Sequence, residues 1–244
     1  MKRQRYFTGI LASLILLGIW VIMSLTVSGG IIPTPIAVAK AFTMKSFAPN
    51  FLVSMGRVVV SLTLAILIAV PLGLFLGQSP RWDKWIAPLI FLTYPIPKIV
   101  FLPIFFILLG IGNISKVALI ALVVFYQILV TTRDGSRSVK KPFIDALVTL
   151  GGSTLDIYRH VVIPACLPAI LTSLRISIGT SVAILFFVES FATRNGLGNL
   201  ILDAWGMADY PMMFVGIIGM SVLGIFLYEI VEIMERRLCK WAQL

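Results

Sequence analysis

"DALVTLGGSTLDIYRHVVIP", residues 145–164, is a polar, glycine-bearing interval between two of the most apolar stretches of a 244-residue chain. Its reading decides the fold. Pro142, just upstream, suits the first turn of a helix, where its missing N–H has no partner to lose. Asp145, Ala146 and Leu147 follow, and Gly151 with Gly152 ends or bends that helix. Ser153 or Thr154 then caps a second short helix, with Asp156 near its positive N-terminal end, running through Leu155 and Tyr158 until Pro164 stops it. The expectation is two short helices on a glycine joint. Such an element either lies on lipid headgroups or plugs into a partner's groove, with Ala146, Leu147 and Leu150 as its apolar contacts.

The surrounding chain is too apolar for a soluble globule. Hydrophobic residues make up 59% and charged ones 12%, with a mean hydropathy of +1.03, against roughly 45–50% apolar residues in soluble domains. We read an all-α membrane protein forming a single domain, residues 1–244. A span needs about 20 mainly apolar residues, and six stretches qualify: Phe7 to Val27, Phe51 to Gly77, Ile86 to Leu109, Val117 to Thr131, Cys166 to Val188 and Met212 to Tyr228. The first follows Lys2, Arg3 and Arg5 as a secretory signal would, but its apolar run exceeds the roughly 7–15 residues of a signal core. Residues 1–30 are therefore expected to be a retained N-terminal anchor helix, and residues 51–237 a five-helix core carrying the loop 142–165.

The formal net charge of +10 does not point to nucleic acid, because the basic residues fall in short clusters between apolar runs, where they anchor helices at the membrane surface. With the N-terminus in the cytoplasm, six crossings put Lys2, Arg3, Arg5, Arg81, Lys84, Arg133, Arg137, Lys140, Lys141, Arg159, Arg236, Arg237 and Lys240 on that side. Lys40, Lys45, Lys116 and Arg194 fall on the other. That excess sets both termini and the 142–165 loop in the cytoplasm. Cys166 and Cys239 are too far apart for a metal or disulfide framework, and His160 has no partner at ligand spacing. No metal site is expected, and no convergent acids, bases or nucleophiles mark a catalytic site inside the spans.

The 145–164 interval resembles the cytoplasmic signature of permease subunits of binding-protein-dependent ABC importers. There an acidic residue and two small ones precede a glycine, with a hydrophobic-x-hydrophobic-Pro ending downstream. Asp145, Ala146, Leu147, Gly151, Val161, Ile163 and Pro164 hold those places, with Leu147 larger than the usual small residue. "IIPTPIAVAKAF" (31–42), "SMGRVVVSLTLAILIAVPLGLFLGQS" (54–79), "YPIPKIVFLPIFFILLGIG" (94–112), "LRISIGTSVAILFFVES" (174–190) and "GLGNLI" (196–201) resemble the nitrate/sulfonate/taurine branch of that family.

The resemblance implies a type I ABC importer permease fold in the cell membrane, in which the loop is a coupling helix. Asp145, Ala146, Leu147, Leu150, Gly151, Leu155, Tyr158 and Pro164 would seat it on an ATP-binding cassette subunit. It also implies two such subunits, which hold ATP and Mg, an extracytoplasmic solute-binding protein, and a second permease copy or a sister permease. This chain has no phosphate-binding loop of its own and is expected to bind no cofactor. Its cargo would be a small anion such as a sulfonate, taurine or nitrate. The same branch also serves vitamins and pyrimidine or thiamine precursors. A membrane-embedded enzyme and a passive channel are the rivals from other classes.

The passage is sought where charge is costly. A central charge costs roughly 2.5–3.5 kcal/mol on the insertion scale, so Arg57, Lys98 and Arg175 should face protein or water. Lys98 sits in "YPIPKIVFLP", whose prolines break or kink a helix, and irregular backbone at depth is tolerated only when shielded or lining a cavity. Tyr94, Pro97, Lys98 and Arg175 are the translocation-path candidates, Arg175 lying about 13 Å along its helix from Cys166. For Lys98 the competing reading is pairing with a carbonyl. Arg57 and Glu189, at the outer ends of the second and fifth spans, are expected to pair and fix those helices. Glu229, Glu232 and Glu235 read as a solvated helix end, with Glu232 and Arg236 at pairing distance. Gly73 and Gly77 form a small-xxx-small pair that allows close helix packing.

Overall fold

The computed structural model describes residues 2–27, 29–191 and 193–243. The side chains of residues 1–10, among them the expected anchors Lys2, Arg3 and Arg5, lie outside that description. The described chain is helical from end to end: α1 (Lys2–Thr26), α2 (Pro35–Ala41), α3 (Met44–Gln78), α4 (Pro80–Thr93), α5 (Leu102–Leu109), α6 (Asn113–Arg137), α7 (Lys141–Thr149), α8 (Thr154–Ile157), α9 (Ile163–Ser190), α10 (Leu197–Gly206) and α11 (Tyr210–Leu238). Among the described residues, four helical segments are long and apolar enough to cross a bilayer, namely Met44–Gln78, Asn113–Arg137, Thr154–Ser190 and Tyr210–Leu238.

The third apolar run is not one straight rod. Pro80–Thr93 and Lys98–Leu109 meet at an angle of 82°, so together they have the length and apolarity of a span broken in the middle or of a re-entrant loop. The cause is local. Pro95 and Pro97 supply no amide hydrogens, and a short 3-10 turn, Lys98–Phe101, restarts the helix before α5. Lys98 Nζ donates to Thr93 O at 2.9 Å and to Tyr94 O at 2.5 Å, adding to the bond Thr93 O already accepts from Ile96 N at the C-terminus of α4.

The bundle is held by close backbone approach. A Cβ on Gly73 would lie 2.8 Å from Thr132 Cβ, and one on Gly77 would lie 2.6 Å from Arg133 O, so α3 and α6 pack at a distance only glycine permits. Ser136 Oγ donates to Leu74 O at 2.9 Å, and Gln78 donates to Ser136 O, sealing the same seam. In lipid there is little hydrophobic drive between helices, so such contacts carry the association. Ala65, Ala69, Leu119, Val124, Ile128, Leu171, Ile178 and Leu223 fill the common core, while Leu67, Ile68, Ile107 and Leu108 point outward, as lipid contact requires. Helix α1 stands at the edge, attached where Trp20 Nε1 donates to Pro33 O at 3.0 Å and the Trp20 ring stacks on Phe214.

One expectation is corrected. Pro164 does not stop a helix; it lies in the first turn of α9, and the chain runs as a single helical segment over Thr154–Ser190. A π turn, Tyr158–Val162, precedes it, with Ile163 N bonding to Tyr158 O. Widening the helix by one residue there loosens the turn whose carbonyl a proline would otherwise meet.

Candidate functional site

Two ends of the bundle carry the polar chemistry. At one end stands an elbow built by α7 and α8. Pro142 occupies the first turn of α7, and Gly152 N donates to Leu147 O at 2.9 Å and Gly151 N to Val148 O at 2.9 Å, closing its C-terminus. Gly151 takes φ +81°, a conformation that side-chain-bearing residues rarely adopt. Ser153 then caps α8: its hydroxyl accepts from Asp156 N, and its own N donates to Asp156 Oδ2 at 2.9 Å, a reciprocal box. His160 Nδ1 lies 3.1 Å from Asp156 O, within one helical turn.

This elbow presents apolar surface. Leu150 is 83% exposed and Leu155 75%, and Phe143 and Val148 are exposed beside them. Asp145 and Ala146 are also exposed, whereas Leu147 folds back over Gly152 and Tyr158 packs on the core. A cleft of about 460 Å³ opens behind the elbow, lined by Ser138, Lys140, Phe143, His160 and Ala165. The elbow thus stands on α6 and α9, the two helices that bracket it in the chain.

Two ion pairs lie toward the elbow end of the long helices. Arg133 of α6 grips Asp83 of α4 through Nε and Nη2, the latter at 2.7 Å from Oδ2. Sequence reading missed this pair, because "TTRDGSR" looks like a solvated basic loop and Asp83 lies far upstream. Arg175 of α9 pairs with Glu235 of α11, and its guanidinium carbon lies 5.3 Å from the Tyr228 ring centre. Glu235 is thus not a free solvated charge, and Arg175 is drawn level with the polar end of α11. A groove of about 950 Å³ runs from this pair along Ile178, Val182, Ile217 and Ser221. Within the described residues Arg175 Nε is buried with no hydrogen-bond partner.

At the far end, Glu189 and Arg57 form the centre of a buried knot. Arg57 Nη1 donates to Glu189 Oε1 at 2.6 Å, Nε and Nη2 donate to Asn113 Oδ1, and Nη2 also donates to Asn195 Oδ1 at 2.7 Å. Glu189 accepts in addition from Ser54 Oγ at 2.8 Å and from Gly198 N at 2.9 Å. Helices α3, α6, α9 and α10 are tied at one point. Lys98 lies elsewhere, buried at the break, 4.3 Å from the Tyr126 ring centre and 5.2 Å from that of Tyr94. The structure therefore does not gather Lys98 and Arg175 into one cluster: they occupy different elements with different partners.

A bundle of apolar helices with a broken span and a protruding elbow narrows the class, and comparison decides it. Residues 69–240 match the model of the binding-protein-dependent transport system inner membrane component. The chain belongs to that family. This permease is 31% identical over 206 residues to the taurine transport system permease protein TauC of Escherichia coli (strain K12), covering 84% of this chain and 75% of TauC. It is 28% identical over 246 residues to the putative aliphatic sulfonates transport permease protein SsuC of Bacillus subtilis (strain 168), covering 98% and 89%. Its fold is similar to that of a chain of the MetNI methionine ABC transporter solved in inward-facing conformations, with a TM-score of 0.68, 15% identity, and 80% and 97% of the two chains covered. The protein is thus the non-catalytic permease subunit of an ABC importer, a multi-pass membrane protein that works with separate ATPase and substrate-binding partners.

Proposed function

We propose that this permease imports a small sulfonate of the taurine kind, and that its α7–α8 elbow is the surface on which the ATPase subunit docks. The observation that carries the docking is the pair Leu150 and Leu155, which stand 83% and 75% exposed on a stiff, doubly capped turn. Exposed leucines on an ordered element, mounted directly on two spans, fit a partner's groove better than a headgroup surface. Asp145, Ala146, Leu147, Gly151, Tyr158 and Pro164 shape and support that surface.

In this reading α1 adds a sixth crossing to the four long segments and the broken span, and residues 1–244 form one domain with an anchor (1–30) and a core (51–237). Both termini and the elbow lie in the cytoplasm, since Arg81, Lys84, Arg133, Arg137, Lys140, Lys141, Arg236 and Arg237 crowd the elbow end. Two permease copies, or this chain and a sister, pair across the passage. Each elbow takes one of two ATPase subunits, which hold ATP and Mg, and an extracytoplasmic binding protein delivers the cargo.

Tyr94, Pro97 and Lys98 wall the passage at the break, where irregular backbone needs a cavity beside it. Arg175 stands at the inner end of the groove, where its guanidinium, paired with Glu235, gives a sulfonate a cation to meet. Arg57 and Glu189 close the outer end as a rigid tie. The test is uptake of labelled taurine by vesicles holding the permease with its ATPase subunits and binding protein. ATP-dependent accumulation is expected. Accumulation without the ATPase subunits overturns the assignment, and accumulation of a pyrimidine precursor in place of taurine replaces the cargo alone.

A further inference from the structure

We infer that Asp83 and Arg133 form the joint through which the elbow steers the broken span, a positioning role that rests on the reading of the elbow as the ATPase dock. Helix α4 is the first half of that span, and it is bound to α6 by polar contacts at both ends. At its start, Asp83 takes two hydrogen bonds from Arg133 and Arg137 Nη1 lies 3.6 Å from Asp83 Oδ2, while the Arg133 guanidinium carbon also stands 5.5 Å from the ring centre of Phe91, further along α4. At its end, Thr93 Oγ1 lies 3.0 Å from Tyr126 OH, and Lys98, which caps α4, lies against the Tyr126 ring. The two attachment points on α6, Tyr126 and Arg133, are about 10 Å apart along its axis.

Between the two attachments α4 has an exposed flank of Trp85, Leu89 and Leu92. Ile90 is buried in the core and the Trp82 ring lies 6.4 Å from that of Phe75 on α3, so packing steadies α4 while the two polar fastenings couple it to α6. The Asp83 fastening is the one next to the elbow. Helix α6 continues unbroken past Arg133 to Arg137, and α7 begins at Lys141. A shift of the elbow therefore reaches Arg133 through rigid helix and reaches α4 through a two-point guanidinium–carboxylate contact. Such a fork transmits rotation as well as translation, which a single contact does not.

The bundle has other ties besides this joint. Helix α3 already seals against α6 through Gly73, Gly77 and the Ser136 bonds, and Glu189 ties the far end independently. Asp83 and Arg133 are buried, with side chains 11% and 6% exposed, and they join the two elements whose relative position sets the shape of the passage.

The experiment measures ATP hydrolysis and transport in the same vesicles, using the complete importer. Wild type is compared with Asp83→Asn, Arg133→Lys, the conservative Asp83→Glu, and a double variant, Asp83→Cys with Arg133→Cys, before and after bridging by a short bismaleimide. The native Cys166 and Cys239 are buried and stand as the background. Transport per ATP should fall about tenfold in Asp83→Asn while hydrolysis stays within about twofold. Asp83→Glu should retain most of the ratio, Arg133→Lys should lie between, and bridging should restore the double variant. An unchanged ratio in Asp83→Asn and Arg133→Lys overturns the joint. So does a loss of assembly shared by every variant including Asp83→Glu, which makes the pair a packing element. If wild type itself neither binds an ATPase subunit nor transports, the dock reading fails and the joint with it, a result separable from the variant series.

Discussion

Arg57 Nη1 of α3 lies 2.6 Å from Glu189 Oε1 of α9, and the two side chains are 4% and 0% exposed. Neither charge has water to fall back on. Each depends on the other and on Ser54, Asn113, Asn195 and the Gly198 amide. Removing one member leaves the other buried and uncompensated, at a cost of roughly 3–5 kcal/mol. Glu189→Leu is therefore expected to lower the thermal stability of the detergent-solubilised permease sharply and to open residues 193–211 to protease. Glu189→Asp should be milder than Glu189→Leu. Equal unfolding temperatures for wild type and Glu189→Leu would count against a structural tie.

The α3–α6 seam predicts a sharp contrast between glycines of the same helix. A Cβ on Gly77 meets Arg133 O at 2.6 Å and Ser136 Oγ at 2.7 Å, whereas one on Gly56 meets nothing within 4 Å. Gly77→Leu should push the helices apart and break the Gln78 and Ser136 bonds, with a loss of about 1–3 kcal/mol. Gly56→Ala should be neutral or slightly stabilising, since alanine is the better helix former. Thermal unfolding of both variants in the same detergent separates them.

Lys98 donates to two carbonyls at the break, Thr93 O and Tyr94 O. Lys98→Ala removes both bonds and lets the 82° bend relax, so transport should fall while the ATPase subunit still co-purifies. Loss of assembly in Lys98→Ala would instead place the residue in the general packing of the chain.

Much of this architecture can be read from the residues, and the parts that cannot share a cause. Apolar runs mark the long helices, because a bilayer demands length and hydrophobicity in one continuous segment. Pro142, Gly151 and Ser153 mark the elbow, because caps and positive φ are local properties. Pro164 misleads, since nothing local reveals that a π turn will absorb it. Asp83 with Arg133, and Arg175 with Glu235, are invisible as pairs for a different reason: Arg133 and Glu235 read as solvated charges, the partners lie far apart in the chain, and only the folded bundle brings them together. Arg57 and Glu189 are easier to find because both sit in otherwise apolar spans, where an unpaired charge is expensive. Lys98 and Arg175 carry the same signal of cost, yet cost alone does not say whether a cation meets a carbonyl, a carboxylate or a cargo.

The elbow gives the most direct measurement. Leu150 and Leu155 are exposed in the isolated chain, so Leu150→Asp with Leu155→Asp should leave the permease folded and its unfolding temperature unchanged. In co-purification from membranes carrying the ATPase subunit, the double variant should lose the ATPase subunit and ATP-driven uptake together. An ATPase subunit that still co-purifies in full, with uptake at the wild-type rate, would contradict docking at the elbow.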